Sequence, residues 1–200
     1  MVILKSGVAM PERATITILF AKLRGFTRMA EALDPPVVLA RAAEFFALVA
    51  AAVERHEGAV SNLLNDTLMA TFAGHSDAPH AVQAAQEIRR DFTILKAAWQ
   101  HDHDIRAAVA IGLHGGAAVF GFSGGTMPGQ PLVIGDSVSV AELLLHRARA
   151  GEMVVSKTIM DALAASRFVL EAKELPLFRI PPREPLRIFG VLLDTRVDFT

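Results

Sequence analysis

Hydrophobic residues occur along the chain in short apolar runs and in longer amphipathic patterns. The short runs, rich in β-branched and aromatic residues, predict strands at 15–20, 59–64, 67–72, 105–113, 117–122, 132–134, 153–156 and 186–193. The longer patterns predict helices at 27–32, 36–57, 81–100, 137–149 and 157–165. The core order is then βαββαβ, which predicts an α+β fold with a ferredoxin-like core and additional C-terminal strands and helix.

The connections between these elements contain the residue types that turns require. Asn65 and Asp66 tolerate the left-handed conformations of a tight hairpin. Gly115 and Gly116 predict a second hairpin between the fourth and fifth strands. The polar run His101–Asp104 is predicted to be a connector after the third helix.

The loop after the first strand is the first candidate for chemistry. Residues 21–25 break the strand pattern, and Thr27 is placed to cap the helix that follows. A loop that runs from a strand into a helix N-terminus aims backbone N–H groups outward and suits phosphate. Residues 24–27 are therefore either a phosphate cradle or only a helix cap, and the cation Lys22 lies in the middle of the loop.

Composition narrows the classes of protein. Two hundred residues predict one domain, which we place at 14–194 between a leader (1–13) and a tail (195–200). A net charge of −1 without a basic stripe argues against a nucleic-acid partner. The most apolar run, Phe45–Val53, is too short to span a bilayer. The absence of cysteine is compatible with the cytoplasm, which is the expected location.

A hydrophobic content of 52% predicts that some apolar surface is buried against a partner. The helix over Val37–Val53 is apolar around almost its whole circumference, so we expect one face on the sheet and another on a neighbour. This helix and an exposed arm at 116–131 are the candidate dimer surfaces, with a thick monomer core as the alternative.

Four sequence blocks, in order and at consistent spacing, carry a family resemblance. They are LFAKLRGFT (19–27), EGAVSNLLNDTLMATF (57–72), AIGLHGGAAVFGFSGG (110–125) and LVIGDSVSVAELLLHRARAGEMVVS (132–156). Over about residues 15–193 the chain resembles the catalytic domain of class III adenylyl and guanylyl cyclases. The resemblance implies the class III nucleotide cyclase fold and a dimer whose two chains share the sites.

The resemblance also implies a reaction, in which the ribose 3′-oxygen of ATP or GTP attacks the α-phosphate between two divalent ions. Of six positions that the family uses, one keeps its residue, the second metal aspartate at Asp66. The first metal aspartate is replaced by Lys22, the base-reading pair by Asn62 and Leu132, the ribose asparagine by Ser139 and the arginine by Leu143. An ammonium cannot ligate a metal, so Mg²⁺ or Mn²⁺ is expected only if a nucleotide binds.

Losing one transition-state contact costs roughly 10²–10³ in rate. The resemblance therefore implies a degenerate member, silent as a homodimer, that acts as a nucleotide-sensing or regulatory module. One alternative is an active cyclase with a non-standard site or a complementing partner chain. Another is a pure protein-interaction module.

Individual side chains carry further hypotheses. Lys22 and Asp66 are predicted to be in contact, either as a salt bridge in an inactive site or with the ammonium replacing a metal ion. Arg147 lies one helical turn after Leu143 and is either a substitute for the lost arginine or a solvated side chain. The candidate nucleotide-binding residues are Arg24, Gly25, Phe26, Thr27, Asn62 and Leu132.

Histidines are given structural roles. The run His101–Asp104 suggests a metal site, but without a further ligand cluster nearby a solvated loop is preferred. His56 and His114 lie at the ends of predicted elements, where packing or capping is expected.

Overall fold

The computed structural model describes residues 12–122 and 131–193, so the predicted tail, most of the leader and residues 123–130 of the predicted arm lie outside it. The strands of the described part are β1 (Glu12–Arg24), β2 (Ala59–Leu64), β3 (Thr67–Phe72), β4 (Ala108–Phe122), β5 (Pro131–Ile134), β6 (Glu152–Ser156), β7 (Lys173–Glu174) and β8 (Ile188–Leu192). Its helices are α1 (Phe26–Ala32), α2 (Pro35–Arg55), α3 (Asp77–His103), α4 (Asp136–Arg147) and α5 (Lys157–Ala165).

The strands of the described residues form one mixed sheet in the order β2-β3-β1-β4-β6-β8-β7, with β5 paired to β4. β1 is antiparallel to both of its neighbours, β3 and β4, and β4 is parallel to β6. The first four strands thus have the ferredoxin-like order 2-3-1-4, which confirms the predicted α+β fold with its βαββαβ core and C-terminal additions.

Helices cover both faces of the sheet. The side chains of β1 are apolar on both faces, and each face needs a packed layer to bury it. Ile16 and Ile18 point into a core that α4 closes, while Leu19 and Leu23 point into a larger core beneath α2, α3 and α5. In the larger core, Phe92 on α3 makes edge contacts with Phe45 on α2 and with Trp99, at ring-centroid distances of 5.5 and 5.6 Å. The end of β1 is therefore held firmly between two packed layers.

The predicted second hairpin is wrong, because β4 is one continuous strand through Gly115 and Gly116. These glycines pair with Thr17 and Ile16 on β1. A Cβ atom at position 116 would lie 2.2 Å from the Oγ of Ser137, at the start of α4. The glycine thus permits close approach of a helix, and it does not make a turn.

Two local predictions around the helix ends are also wrong. The N-cap of α1 is Gly25, with φ 93°, so Thr27 lies inside the helix and does not cap it. The run predicted as a connector, His101–Asp104, mostly belongs to α3, which continues to His103 and ends at Asp104 with φ 51°. In both places a residue with positive φ, Gly25 or Asp104, marks the helix boundary.

Helix α2 has one buried face and one open face. Val38, Phe45 and Val49 are buried, whereas Leu39 is 72% exposed. One face of the helix therefore packs in the core, as predicted, and the expectation that a neighbouring chain covers the other face stays a prediction. The helix is also longer than the apolar run Phe45–Val53 on which the prediction of no membrane span was based. Among the described residues, α2 alone is long and apolar enough to cross a bilayer, and the core helices of soluble proteins meet the same criterion.

Candidate functional site

The end of β1 and the turn between β2 and β3 bring two charged side chains together. Lys22 is opposite Thr67 of β3 in the sheet register, and the turn reaches back through Asn65, which has φ 53°. The backbone N–H of Leu23 donates to the carbonyl oxygen of Asp66 at 2.9 Å. The Nζ atom of Lys22 lies 3.0 Å from both Oδ1 and Oδ2 of Asp66, which confirms the predicted contact.

This ion pair is partly shielded from solvent. The side chain of Lys22 is 24% exposed and that of Asp66 is 15% exposed. Asp66 Oδ1 also accepts a hydrogen bond from the hydroxyl of Thr67 at 3.0 Å. Both carboxylate oxygens therefore lie within bonding distance of protein donors. The ammonium has three N–H donors, and among the described residues it contacts this one acceptor group.

Arg24 follows on the same strand, so the prediction that residues 21–25 form a loop with Lys22 in its middle is wrong, because β1 continues to Arg24. The guanidinium of Arg24 contacts the end of α4. Its Nη2 donates to the carbonyl oxygens of Leu145 at 3.3 Å and Ala148 at 2.9 Å, at the C-terminal end of α4. That helix end carries the negative pole of the helix dipole, which favours a cation. Burial lowers the pKa of Arg24, and the nearby charge of Asp66 partly opposes this effect.

The ion pair forms part of the wall of a cleft of about 400 Å³. Residues from the predicted phosphate loop line the same cleft, together with charged residues of α1. The lining consists of Lys22, Leu23, Arg24, Gly25, Phe26, Thr27, Arg28, Glu31 and Asp66. A single chain thus brings together the predicted phosphate loop, Lys22 and Asp66.

The two candidates for base reading lie outside this cleft. Asn62 is exposed on β2, where its Oδ1 accepts a hydrogen bond from the N–H of Leu63 at 2.8 Å. Leu132 is exposed on β5, opposite Gly121 of β4. Strands β2 and β5 contact one another, and neither Asn62 nor Leu132 lines the cleft that contains Lys22.

The candidates on α4 also lie outside the cleft. Ser139 is exposed, and Leu143 and Arg147 are half-buried. The helix is continuous across all three positions, so Arg147 projects from the same face as Leu143, one turn later. No hydrogen bond or ion pair joins Arg147 to any other residue that the structure describes. The roles predicted for these residues stay predictions.

The residues of the cleft do not fit a pair of divalent ions. Such ions need several oxygen ligands, chiefly carboxylates. The Asp66 carboxylate is bonded to Lys22 and Thr67 instead. Across residues 12–122 and 131–193 there is no group of three or more His, Cys, Asp or Glu side chains that could hold a metal ion.

A second cleft, of about 290 Å³, lies between α1 and the end of α3. His103, Asp104 and Arg106 line it together with Arg28. It contains two residues of the polar run that suggested a metal site, yet they do not form a closed ligand set there. Neither Lys22 nor Asp66 lines this second cleft.

Sequence reasoning missed a polar group beside the start of α4. His114 lies within β4, where it is only 9% exposed and its Nδ1 has no hydrogen-bond partner among the described residues. Burial lowers the pKa of His114 to about 4; the charge of Asp136 raises it and that of Arg183 lowers it. Arg183 Nε donates to Asp136 Oδ1 at 3.0 Å. The polar residues are far apart in sequence, so no local motif marks them.

Comparison with known sequences gives one family. A family model described as "Adenylate and Guanylate cyclase catalytic domain" matches residues 8–180. The chain is 33% identical to an adenylate cyclase of Anabaena cylindrica over 129 residues, which are 63% of this chain and 26% of that protein. It is 26% identical to adenylate cyclase 1 of Rhizobium meliloti (strain 1021) over 171 residues, 84% of this chain and 25% of that protein. The chain thus spans about a quarter of the length of these relatives.

Solved structures share the fold. The adenylyl cyclase CyaB from P. aeruginosa matches with a TM-score of 0.85 and 20% identity, covering 96% of this chain and 100% of that one. The guanylate cyclase domain of RhGC from Catenaria anguillulae, solved in complex with GTP, matches with a TM-score of 0.75 and 16% identity, covering 91% and 97%. At these identities the likeness concerns the fold alone.

Proposed function

This chain belongs to the adenylate and guanylate cyclase catalytic domain family, and we propose that it is a catalytically silent member that serves as a dimeric nucleotide-sensing or regulatory domain. The observation that carries the proposal is the ion pair between Lys22 and Asp66. It neutralises the one metal aspartate that the family resemblance retains. The cytoplasmic location expected from the cysteine-free sequence is part of the same proposal.

Silence follows from what the site residues can do. Cyclisation through two metal ions needs carboxylates that hold both ions. Here Asp66 has Lys22 as its partner, and the arginine position on α4 holds Leu143, which carries no charge to stabilise a pentavalent phosphorus. Leu132 cannot hydrogen-bond a base through its side chain. Each loss alone costs roughly 10²–10³ in rate.

Nucleotide sensing rests on what the cleft retains. Residues 25–27 still line it beside Lys22, and Arg24 and Arg28 add two further cations. A partner chain is supported by exposed apolar side chains on the neighbouring strands β2 and β5, which include Leu63, Leu64 and Ile134. A homodimer or a cyclase-like partner would cover them.

The second candidate is an active cyclase that requires a complementing chain. It is favoured by the position of Asp66 in the cleft, and by the separation of Ser139 and Arg147 from that cleft within one chain. This chain lacks both the first metal carboxylate, at Lys22, and the arginine, at Leu143. A partner chain would therefore have to contribute both groups to the same catalytic site.

The test is a cyclase assay of the purified chain with ATP or GTP and Mn²⁺, with cAMP and cGMP measured by mass spectrometry. We expect no product above the level of the Asp66→Ala variant. Turnover that Asp66→Ala abolishes would overturn the proposal in favour of an active enzyme. Calorimetric titration with ATP and GTP separates the remaining possibilities, since an interaction module would bind neither nucleotide.

A further inference from the structure

The cleft beside Lys22 contains a fixed cation where a metal-dependent site would need ligands for ions. We propose that Lys22 is the built-in cation of this cleft, and that the cleft binds a polyphosphate anion without any divalent ion. The ligand class is inorganic pyrophosphate or the polyphosphate chain of a nucleotide. The inference deepens the proposed function, because it concerns the same site.

The ammonium is available to a ligand even while it contacts Asp66. An ammonium has three N–H donors, and the contacts of Lys22 go to the two oxygens of one carboxylate. The side chain is 24% exposed and lines the cleft. A phosphate oxygen can therefore accept the remaining N–H bond without separating the ion pair.

The charges of the cleft favour an anion. Its acidic lining residues are Glu31 and Asp66, and its basic ones are Lys22, Arg24 and Arg28. Lys22 balances Asp66, while Arg28 is exposed and has no hydrogen bond or ion pair among the described residues. The lining has one more positive charge than negative charge, and Arg28 is free to contact a phosphate.

A divalent cation is disfavoured by the same geometry. It would have to displace Lys22 from Asp66, where the ammonium and the hydroxyl of Thr67 already bond to the carboxylate. It would then lie close to the displaced ammonium, with like-charge repulsion in a partly shielded cleft. Toward phosphate the lysine thus offers an N–H donor in place of a metal ion, and the excess positive charge of the lining comes from Arg24 and Arg28.

The first experiment is calorimetric titration of the chain with pyrophosphate and with ATP, in buffer containing EDTA and in buffer containing excess Mg²⁺. We expect binding in EDTA, weakened about tenfold by Lys22→Met and largely kept by Lys22→Arg. Circular dichroism of both variants checks that they are folded. Binding that requires Mg²⁺, or that Lys22→Met leaves unchanged, overturns the inference while nucleotide sensing survives. No binding in either buffer overturns both.

The second experiment measures metal binding directly. Lys22→Asp places a second carboxylate beside Asp66. By electron paramagnetic resonance we expect this variant to bind Mn²⁺, and we expect the native chain not to bind it. Lys22→Ser is the matched control, because it removes the ammonium without adding a ligand. Mn²⁺ bound by the native chain and lost in Asp66→Asn would overturn the inference. A Lys22→Asp variant that binds no Mn²⁺ would also count against it, because the lysine would then not be what excludes the ion.

Discussion

The Nζ atom of Lys22 lies 3.0 Å from each carboxylate oxygen of Asp66, across the junction of β1 with the β2–β3 turn. Removing the carboxylate by Asp66→Ala leaves the partly buried ammonium of Lys22 without its ion-pair partner. We expect this change to cost about 1–2 kcal/mol of unfolding free energy. Urea denaturation measures it.

Lys22→Met should be milder, because Asp66 keeps its hydrogen bond from Thr67. We expect a cost of about 1 kcal/mol or less. The double variant Lys22→Met/Asp66→Ala should be more stable than the sum of the two single costs predicts. Strictly additive costs would mean that the ion pair contributes nothing to folding.

The indole of Trp99 makes a partly buried polar contact with Glu44, a residue that also forms an ion pair with Arg41. Trp99 is fully buried, and its Nε1 donates to Glu44 Oε2 on α2 at 2.7 Å. Glu44→Ala leaves a buried donor unsatisfied, so we expect a loss of about 1–3 kcal/mol. Glu44→Gln keeps an acceptor and is the matched control, with a smaller expected loss. Trp99 is the only tryptophan in the sequence, so its fluorescence reports unfolding directly. Equal losses of unfolding free energy in both variants would show that the acceptor at position 44 does not stabilise the fold.

Gly112 is where the backbone of α4 lies directly against β4. A Cβ atom there would lie 2.3 Å from the backbone nitrogen of Leu145 and 2.5 Å from the carbonyl oxygen of Ala141. Backbone cannot yield as a side chain can, so Gly112→Ala should destabilise the domain by about 3 kcal/mol or more. Gly121→Ala on the same strand is the control, since no described atom lies within 4 Å of its Cβ. Thermal denaturation that ranks the two variants equally would refute the packing argument.

The sequence predicts those parts of the fold whose boundaries are set by nearby residues. Strands β2 and β3 and helix α5 have the predicted bounds, because their patterns end at turn residues such as Asn65. The pair Gly115-Gly116 misled the prediction, since these glycines serve the approach of α4, which is a tertiary contact. Sequence alone does not tell a glycine needed for a turn from one needed for space.

The candidate site could be predicted only where the strand order places its residues together. The contact of Lys22 with Asp66 follows from placing one strand end beside one hairpin turn, which the resemblance fixes. The direction of Arg24 does not follow, because it depends on where α4 ends in space. The polar group of His114, Asp136 and Arg183 joins three separate segments, so no spacing along the chain reveals it.

His114 should make stability depend on pH. Burial lowers its pKa in the folded state to about 4, while Asp136 and Arg183 act on it in opposite directions. The unfolded chain, with a histidine pKa near 6.5, therefore binds more protons between these values. Stability is fully present above about pH 6.5 and falls as the pH drops, by about 2 kcal/mol at pH 5.

The variant His114→Gln removes this titration without adding a charge. Urea denaturation at several pH values between 7.5 and 5 should therefore give a shallower decline for the variant than for the native chain. The two proteins share every carboxylate, and among these the pKa of Asp136 is lowered by the hydrogen bond from Arg183 and also by the charge of His114. The difference between the two slopes therefore reports His114 together with its coupling to Asp136. Parallel declines would show that the imidazole is solvated in the folded state, contrary to its buried position in β4.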